Sequence, residues 1–582
     1  MRRLAWRTVS TLTVFGLLII APARAADPEM DKLLRGPVGK DWVTNGGNLT
    51  NNRYSTLKQI DTTNVGKLKG AWMTRLKGSG VGGKYSFEAS PLVKDGIMYV
   101  VTGNDDVFAL NAKTGAIIWE YWSGIDQTIS TVCCGWANRG LAMGEGQIYL
   151  GQLDANVVAL DMKTGKVAWK TPIEKWQNGY GITSAPLYYD GMVYSGITGG
   201  EFGIRGYIEA TDLNTGKAAW RTYTIPGTGE PGNETWKDGK ERWKHGGGSV
   251  WETATYDPES DTFYQGVGNA GPDWDAEYRP GDNKWAASVL AISPADGKIK
   301  WGYQYTPNDP YDYDEISEHP IIDAKVNGED RKLVVHAARN GFFYALDRTN
   351  GSFVAGKQYV DQLNWTPGLD PKTGRPLNYD PNAGVQIYAE GSHGTRARPN
   401  SDKLCPAHTG GKNWEPSAYN PELGLLYIPS VEGCDYIDTV AQKDFADQGG
   451  TVKPRERFSG GGTKIRERLY GSLKAVDPVT GDIKAALKLA YPNYSGALTT
   501  AGNLVFIGLP DGTFSAHDAR TLQELWSFNA GTGINAPPIS YSVNGKQYIA
   551  VLAGSRQSQN VIPYSPELKN TSTASMLYVF GL

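Results

Sequence analysis

Two short stretches carry residue types that could do chemistry. In "TVCCGWANRG", from Thr131, Cys133 and Cys134 are neighbours in a chain of only four cysteines. They could bind a metal, act as thiols, or bond to each other. A relaxed disulfide sets its Cα atoms about 4.4–6.8 Å apart, whereas neighbours offer about 3.8 Å across a trans peptide and about 2.9 Å across a cis one. A bond between them would be a rigid, strained ring, the kind of feature that clusters at functional sites. In "YDYDE", Asp312 and Asp314 lie two residues apart. In an extended segment their carboxylates point to one face, and a shared cation is a natural reason to hold two like charges together. No His and Cys cluster with zinc spacing competes, because the six histidines are scattered.

The choice between thiols and a disulfide turns on the compartment. "MRRLAWR" is a basic head, "TVSTLTVFGLLIIAP" an apolar stretch, and "ARA" before Ala26 a small-residue cleavage signature. The apolar stretch is too short to span a bilayer comfortably, and no later run is apolar enough for a membrane helix. Residues 1–25 therefore read as a signal peptide, and the mature chain as a periplasmic protein. That compartment is oxidising, which favours a Cys133–Cys134 bond over two free thiols and leaves Cys405 and Cys434 as the second pair.

The elements that must position these residues are legible as repeats. "ALNAKTGAIIW" from Ala109, "ALDMKTGKVAW" from Ala159 and "ATDLNTGKAAW" from Ala210 share one pattern. Weaker copies begin at Ala291, Ala345, Ala475 and Ala516. Each reads as a strand ending in alanine, a tight Asp-x-x-Thr-Gly turn and a second strand bearing tryptophan. The alanine is small enough for a tryptophan of a neighbouring unit to pack over it. Upstream strands such as "PLVKDGIMYVVT" complete four per unit, and repeats at this spacing indicate a propeller. Seven copies are visible, and the lone terminal strand "SMLYVFGL" is expected to complete an eighth with strands from the N-terminal end. The expected fold is all-β, an eight-bladed β-propeller with tryptophan-docking repeats, formed as a single domain by residues 26–582. WD-type signatures are missing. The net charge of −3 and the lack of a basic patch give no sign of nucleic-acid binding.

A propeller alone does not define a function, and some periplasmic propellers with this repeat are non-catalytic scaffolds. Here, however, "CCGWANRG", "GGEFGIRGY", "GVGNAGPDW", "PYDYDE" and "ARNGFFYALDRTNG" follow one another in a familiar order. With the tryptophan-docking repeats, they resemble the quinoprotein alcohol dehydrogenases, which use pyrroloquinoline quinone (PQQ). The resemblance implies that the Cys133–Cys134 ring lies against one face of the quinone and Trp251 against the other. PQQ carries three carboxylates and needs cations and donors. Arg139 matches the carboxylate-binding arginine of such proteins, and Arg339 the arginine that contacts the quinone oxygens. Glu88, Thr183, Thr198, Gly199, Gly200, Ser249 and Asn413 fall at further cofactor-contact positions. One position departs: relatives carry tryptophan where this chain has Tyr494 or Ser495, so that contact is expected to be altered or lost.

The resemblance also assigns Glu201, Asn269 and Asp312 as ligands of a cation beside the quinone, with Asp312 the catalytic base. All are hard oxygen donors. An aspartate at the position of Asp314 marks the lanthanide-dependent branch, so a trivalent lanthanide is expected as fourth-ligand partner, with Ca2+ as the alternative. The implied reaction is oxidation of an alcohol to an aldehyde or ketone by hydride transfer to PQQ. The chain has no Cys-x-x-Cys-His for covalent haem, so a separate periplasmic cytochrome c is the implied electron acceptor. The segment from Glu201 to Trp251 is short, which leaves ethanol, longer primary alcohols, and bulky secondary or polyol substrates all open. Dimers are common in such proteins, and a homodimer remains open here.

Overall fold

The repeat turn folds for local reasons. In the copy from Ala159, Asp161 Oδ1 accepts hydrogen bonds from the Lys163 N–H at 3.1 Å, the Thr164 N–H at 2.8 Å and the Thr164 hydroxyl at 2.7 Å. Gly165 then closes the turn onto the Asp161 carbonyl at φ +70°, a left-handed conformation that glycine adopts without steric cost. The copy from Ala210 repeats the arrangement around Asp212. In the copy from Ala516 the glycine is replaced by Leu522, which takes φ +61° and is buried.

Around these turns the chain forms blades. The computed structural model describes residues 27–441, 452–554 and 564–582; the expected signal peptide lies outside them. The first blade comprises Leu92–Lys94, Ile97–Val101, Val107–Asn111 and Ile117–Tyr121 in antiparallel order. Six more blades follow in chain order, the seventh extended by the short parallel strand Tyr54–Ser55. The eighth joins both ends of the chain: Lys69–Arg75 pairs with Met576–Gly581, beside Lys546–Ala553 and Ile539–Val543. The eight-bladed propeller and its closure by the terminal strand are as expected. One short helix, Pro28–Arg35, precedes the blades, capped by Asp27 and burying Met30 and Leu34.

The docking contact differs in detail from the expectation. Each tryptophan lies opposite the alanine of its own blade, as Ala159 does with Trp169 and Ala109 with Trp119. A register shift follows the repeat alanine in all seven copies. The surface that receives the indole is the Thr-Gly turn of the next blade. Trp119 donates to the Met162 carbonyl at 3.0 Å, and a Cβ added at Gly165 would lie 2.5 Å from Trp119 Cε3. Close approach of ring to backbone, not the small alanine, locks blade to blade. The eighth blade supplies Trp72 in the same role, donating to the Ala112 carbonyl at 3.3 Å.

Strand order also decides where chemistry can sit. In a four-stranded antiparallel blade, the turns joining strands 1–2 and 3–4 emerge at one end. The strand 2–3 loops and the blade-to-blade connections emerge at the other. The docking turns occupy the first end, so long loops are free to vary at the second.

Candidate active site

Every residue singled out for chemistry lies in that second set of loops. Glu88, Cys133, Cys134, Arg139, Thr183, Ser249, Trp251, Asp312, Asp314 and Asn413 are on blade-to-blade connections. Thr198, Gly199, Gly200, Glu201, Asn269 and Arg339 are on strand 2–3 loops. Cys133 is bonded to Cys134 and Cys405 to Cys434, leaving no free cysteine.

Asp312 and Asp314 converge on one guanidinium. Arg339 Nη2 is 3.1 Å from Asp312 Oδ2, and Nη1 is 2.6 Å from Asp314 Oδ2. Arg339 Nε donates to the His408 carbonyl at 2.8 Å, which fixes the plane of the group. The path of the chain here is not the extended segment inferred from spacing. Both oxygens of Asp309 accept backbone N–H bonds, from Tyr311 at 3.0 Å and Tyr313 at 2.9 Å, and Asp312 is turned to φ +61°. Aspartate tolerates that conformation better than most residues, and its carboxylate is thereby brought round to meet its neighbour.

The second oxygen of Asp314 accepts the Asn269 backbone N–H at 2.7 Å. Asn269 Nδ2 in turn donates to Asp273 Oδ1 at 2.9 Å. Across the site, a Cβ added at Gly200 would lie 3.2 Å from Ser249 Oγ and 3.9 Å from Asn269 Oδ1. Gly199, at φ +122°, has no room for one at all, because the Gly179 carbonyl is in the way. Thr198 pairs its backbone with Gly181 and so anchors this loop.

The electrostatics of this cluster are lopsided. Burial pushes up the carboxyls of Asp312 and Asp273 well above the usual range, and those of Asp314 and Glu201 in the same direction. They oppose one another's ionisation, while Arg339 favours the ionised forms of Asp312, Asp314 and Glu201. Arg457 is the larger cationic influence on Glu201, ahead of Arg339, and donates to the Cys133 carbonyl. Among the described residues, no three His, Cys, Asp or Glu side chains are gathered into a ready-made cage. Asp312 and Asp314 are held on Arg339, and Asp273 on Asn269. Two buried and two half-buried carboxylates and one amide oxygen against so little positive charge nevertheless form a donor set that suits a hard cation.

Arg139 organises the other side. Its guanidinium is 2.7 Å from both Glu88 and Glu252, and it donates to Thr183 Oγ1 at 3.0 Å. It stands 4.7 Å over the Trp251 ring and 5.2 Å from that of Trp414. Burial raises the Glu252 carboxyl to about 8, against the opposing pull of Arg139. At neutral pH Glu252 is therefore largely protonated, and Arg139 keeps charge to offer an anion.

Sequence reasoning missed Glu252, Asp273, Trp414 and Asp309. Asp273 and Trp414 were within reach: one is the penultimate residue of "GVGNAGPDW", the other directly follows Asn413. Asn413 itself bonds within its own loop, to Glu415 at 2.9 Å and the Thr409 carbonyl at 3.2 Å. Where tryptophan was expected, Ser495 is buried and spends its hydroxyl on the backbone of Gly508. Tyr494 packs in the cluster that Trp414 borders.

Comparison with known proteins matches residues 42–358 and 459–549 to the family "PQQ: Glucose/ethanol/alcohol dehydrogenase, beta-propeller domain". The chain is 36% identical over 563 residues to quinoprotein alcohol dehydrogenase PedH of Pseudomonas putida, covering 93% of this chain and 91% of that protein. It is 35% identical over 539 residues to a quinoprotein ethanol dehydrogenase of Pseudomonas aeruginosa, covering 86% and 84% respectively. Among solved structures, a europium-containing methanol dehydrogenase superposes with a TM-score of 0.86 at 32% identity, covering 96% of this chain and 100% of the other.

Proposed function

Because the chain belongs to the β-propeller family of PQQ-dependent glucose, ethanol and alcohol dehydrogenases, we propose that it oxidises alcohols to aldehydes or ketones in the periplasm. The observation that carries this reading is the meeting of Asp312 and Asp314 on Arg339, beside Asn269 and the Glu201 loop. PQQ supplies the two-electron acceptor when bound, and a cation held by Glu201, Asn269, Asp312 and Asp314 supplies Lewis acidity. Asp312 takes the proton of the alcohol hydroxyl as general base, and Arg339 holds its carboxylate in place. Arg139, with Thr183, offers charge and donors to a cofactor carboxylate. Glu88, Ser249 and Asn413 complete the polar rim of that pocket. The Cys133–Cys134 ring and Trp251 are its two rigid walls, and the bare backbone at Gly199 and Gly200 leaves room at its edge.

We assign the cation as a trivalent lanthanide, since Asp314 adds a fourth oxygen ligand and a further negative charge. The resemblance to a europium-containing enzyme supports the assignment. Ca2+ is the second reading, favoured by one observation: both Asp314 oxygens already have partners. Residues 1–25 serve as the export signal, and no helix among the described residues is long and apolar enough to cross a membrane. A periplasmic cytochrome c receives the electrons.

Purified protein supplied with PQQ and lanthanum should reduce a phenazine-type dye when an alcohol is added. A panel of primary, secondary and polyol substrates would then define the pocket. If neither PQQ nor metal alters its absorbance or activity, the propeller is a scaffold and the proposal fails.

A further inference from the structure

We infer that Asp273 is a positioning residue for the cation site, locking the Asn269 carboxamide with its oxygen turned inward; this rests on the metal reading above. A carboxamide has one end that can bind a cation and one that cannot, and the two ends are nearly the same shape. A free asparagine side chain would present either end. Here the shorter bond from Asn269 Nδ2 goes to Asp273 Oδ1, at 2.9 Å, and the Ala270 carbonyl accepts from the same nitrogen at 3.3 Å. A carboxyl oxygen that accepts this bond tolerates the NH2 end and repels the oxygen. Asn269 Oδ1 is left on the side of Gly200, 3.9 Å from where a Cβ there would sit. The backbone N–H of the same residue is pinned separately by Asp314 at 2.7 Å. Main chain and side chain are thus both fixed before any ion arrives.

Asp273 is itself held firmly. It is 3% exposed, so bulk water does not compete for the bond. Buried Arg279 clasps the surrounding loop, donating to the carbonyls of Pro272 at 3.0 Å and Asp273 at 3.1 Å. The next residue, Trp274, anchors its N–H on the Ser459 carbonyl at 2.9 Å. Such outer partners orient metal ligands, and their loss typically costs about 10- to 100-fold in metal affinity.

The test uses the PQQ-loaded enzyme, stripped of metal by a chelator and titrated with terbium, following emission sensitised by tryptophan. Asp273→Ala should weaken terbium binding by about tenfold or more. Asp273→Asn can still accept from Asn269 Nδ2 through its own oxygen, and should stay within about threefold of the parent. Asn269→Asp needs no orientation, since both its ends are oxygens, but it sets a second carboxylate against Asp273. It should therefore bind poorly alone and regain affinity when Asp273→Ala is added. A purely structural role for Asp273 would not yield that compensation. Parent-like terbium binding by Asp273→Ala overturns the inference while leaving the metal site intact. Equal losses in Asp273→Asn and Asp273→Ala also overturn it, by making the charge of Asp273, not its orientation of Asn269, the operative feature. Absence of terbium emission from the parent protein overturns the metal reading and this inference together.

Discussion

Replacing Asp314 by alanine separates a trivalent from a divalent site. At an effective dielectric near 20 and a contact of about 2.5 Å, each unit of ionic charge gains roughly 6–7 kcal/mol from one carboxylate. A trivalent ion gains one such unit more than Ca2+. Most of that is returned. Arg339 lies 2.6 Å from the same carboxylate and must yield or be repelled, and the trivalent ion gives up more hydration. A surviving preference of about 1.4–3 kcal/mol still means roughly a 10- to 100-fold shift in relative affinity. The substitution also removes the acceptor of the Asn269 N–H and of Arg339 Nη1, at about 1–3 kcal/mol for each group left buried and unpaired. Asp314→Asn is the companion variant, because it keeps an acceptor for the Asn269 N–H while losing the charge. Metal-free enzyme would be titrated with lanthanum and with calcium, and binding and dye reduction compared across the parent and both variants after thermal melts confirm folding. Both variants should lose affinity for lanthanum by at least about tenfold relative to calcium. If Asp314→Ala keeps the parent's lanthanum-to-calcium ratio, Asp314 is not a ligand and the charge argument is wrong.

Asp312→Asn should abolish turnover with either ion while leaving the melting temperature near that of the parent, as judged by dye reduction and calorimetry; residual parent-like turnover would remove Asp312 as base. Glu252 has a folded pKa of about 8 against an ordinary 4.5, so the folded state holds its proton longer and stability drains away as pH rises between those values. Glu252→Gln should therefore gain on the parent as pH rises from 5 to 8, by at most about 1.4 kcal/mol per unit, measured by denaturant unfolding; a difference that ignores pH would refute it. Gly165→Ala meets Trp119 at 2.5 Å and Gly146→Ala meets nothing within 4 Å, though both have positive φ. The first should cost about 2–4 kcal/mol and the second about 1 kcal/mol in unfolding experiments, and equal costs would deny the docking contact its role.

The propeller was readable because its repeat is a local device. Asp161, Thr164 and Gly165 make their turn with bonds spanning a few residues, so the pattern is complete within one stretch of chain. Blade number and the closing of the ring by the terminal strand followed from counting such stretches. The bond between the neighbouring cysteines was equally local, whereas the proposed oxygen donors came only from residue order. What strand order and packing alone decided is which groups face one another. Asp273, Glu252 and Trp414 act through partners 4, 113 and 275 positions away, namely Asn269, Arg139 and Arg139 again, and only the first separation falls within a legible motif. The convergence of Asp312 with Asp314 was expected from an extended chain, yet it is produced by Asp309 bending the backbone to φ +61° at Asp312. Burial adds the rest: a carboxyl's ionisation depends on how much water and how many charges surround it in three dimensions, and no spacing along the chain encodes that.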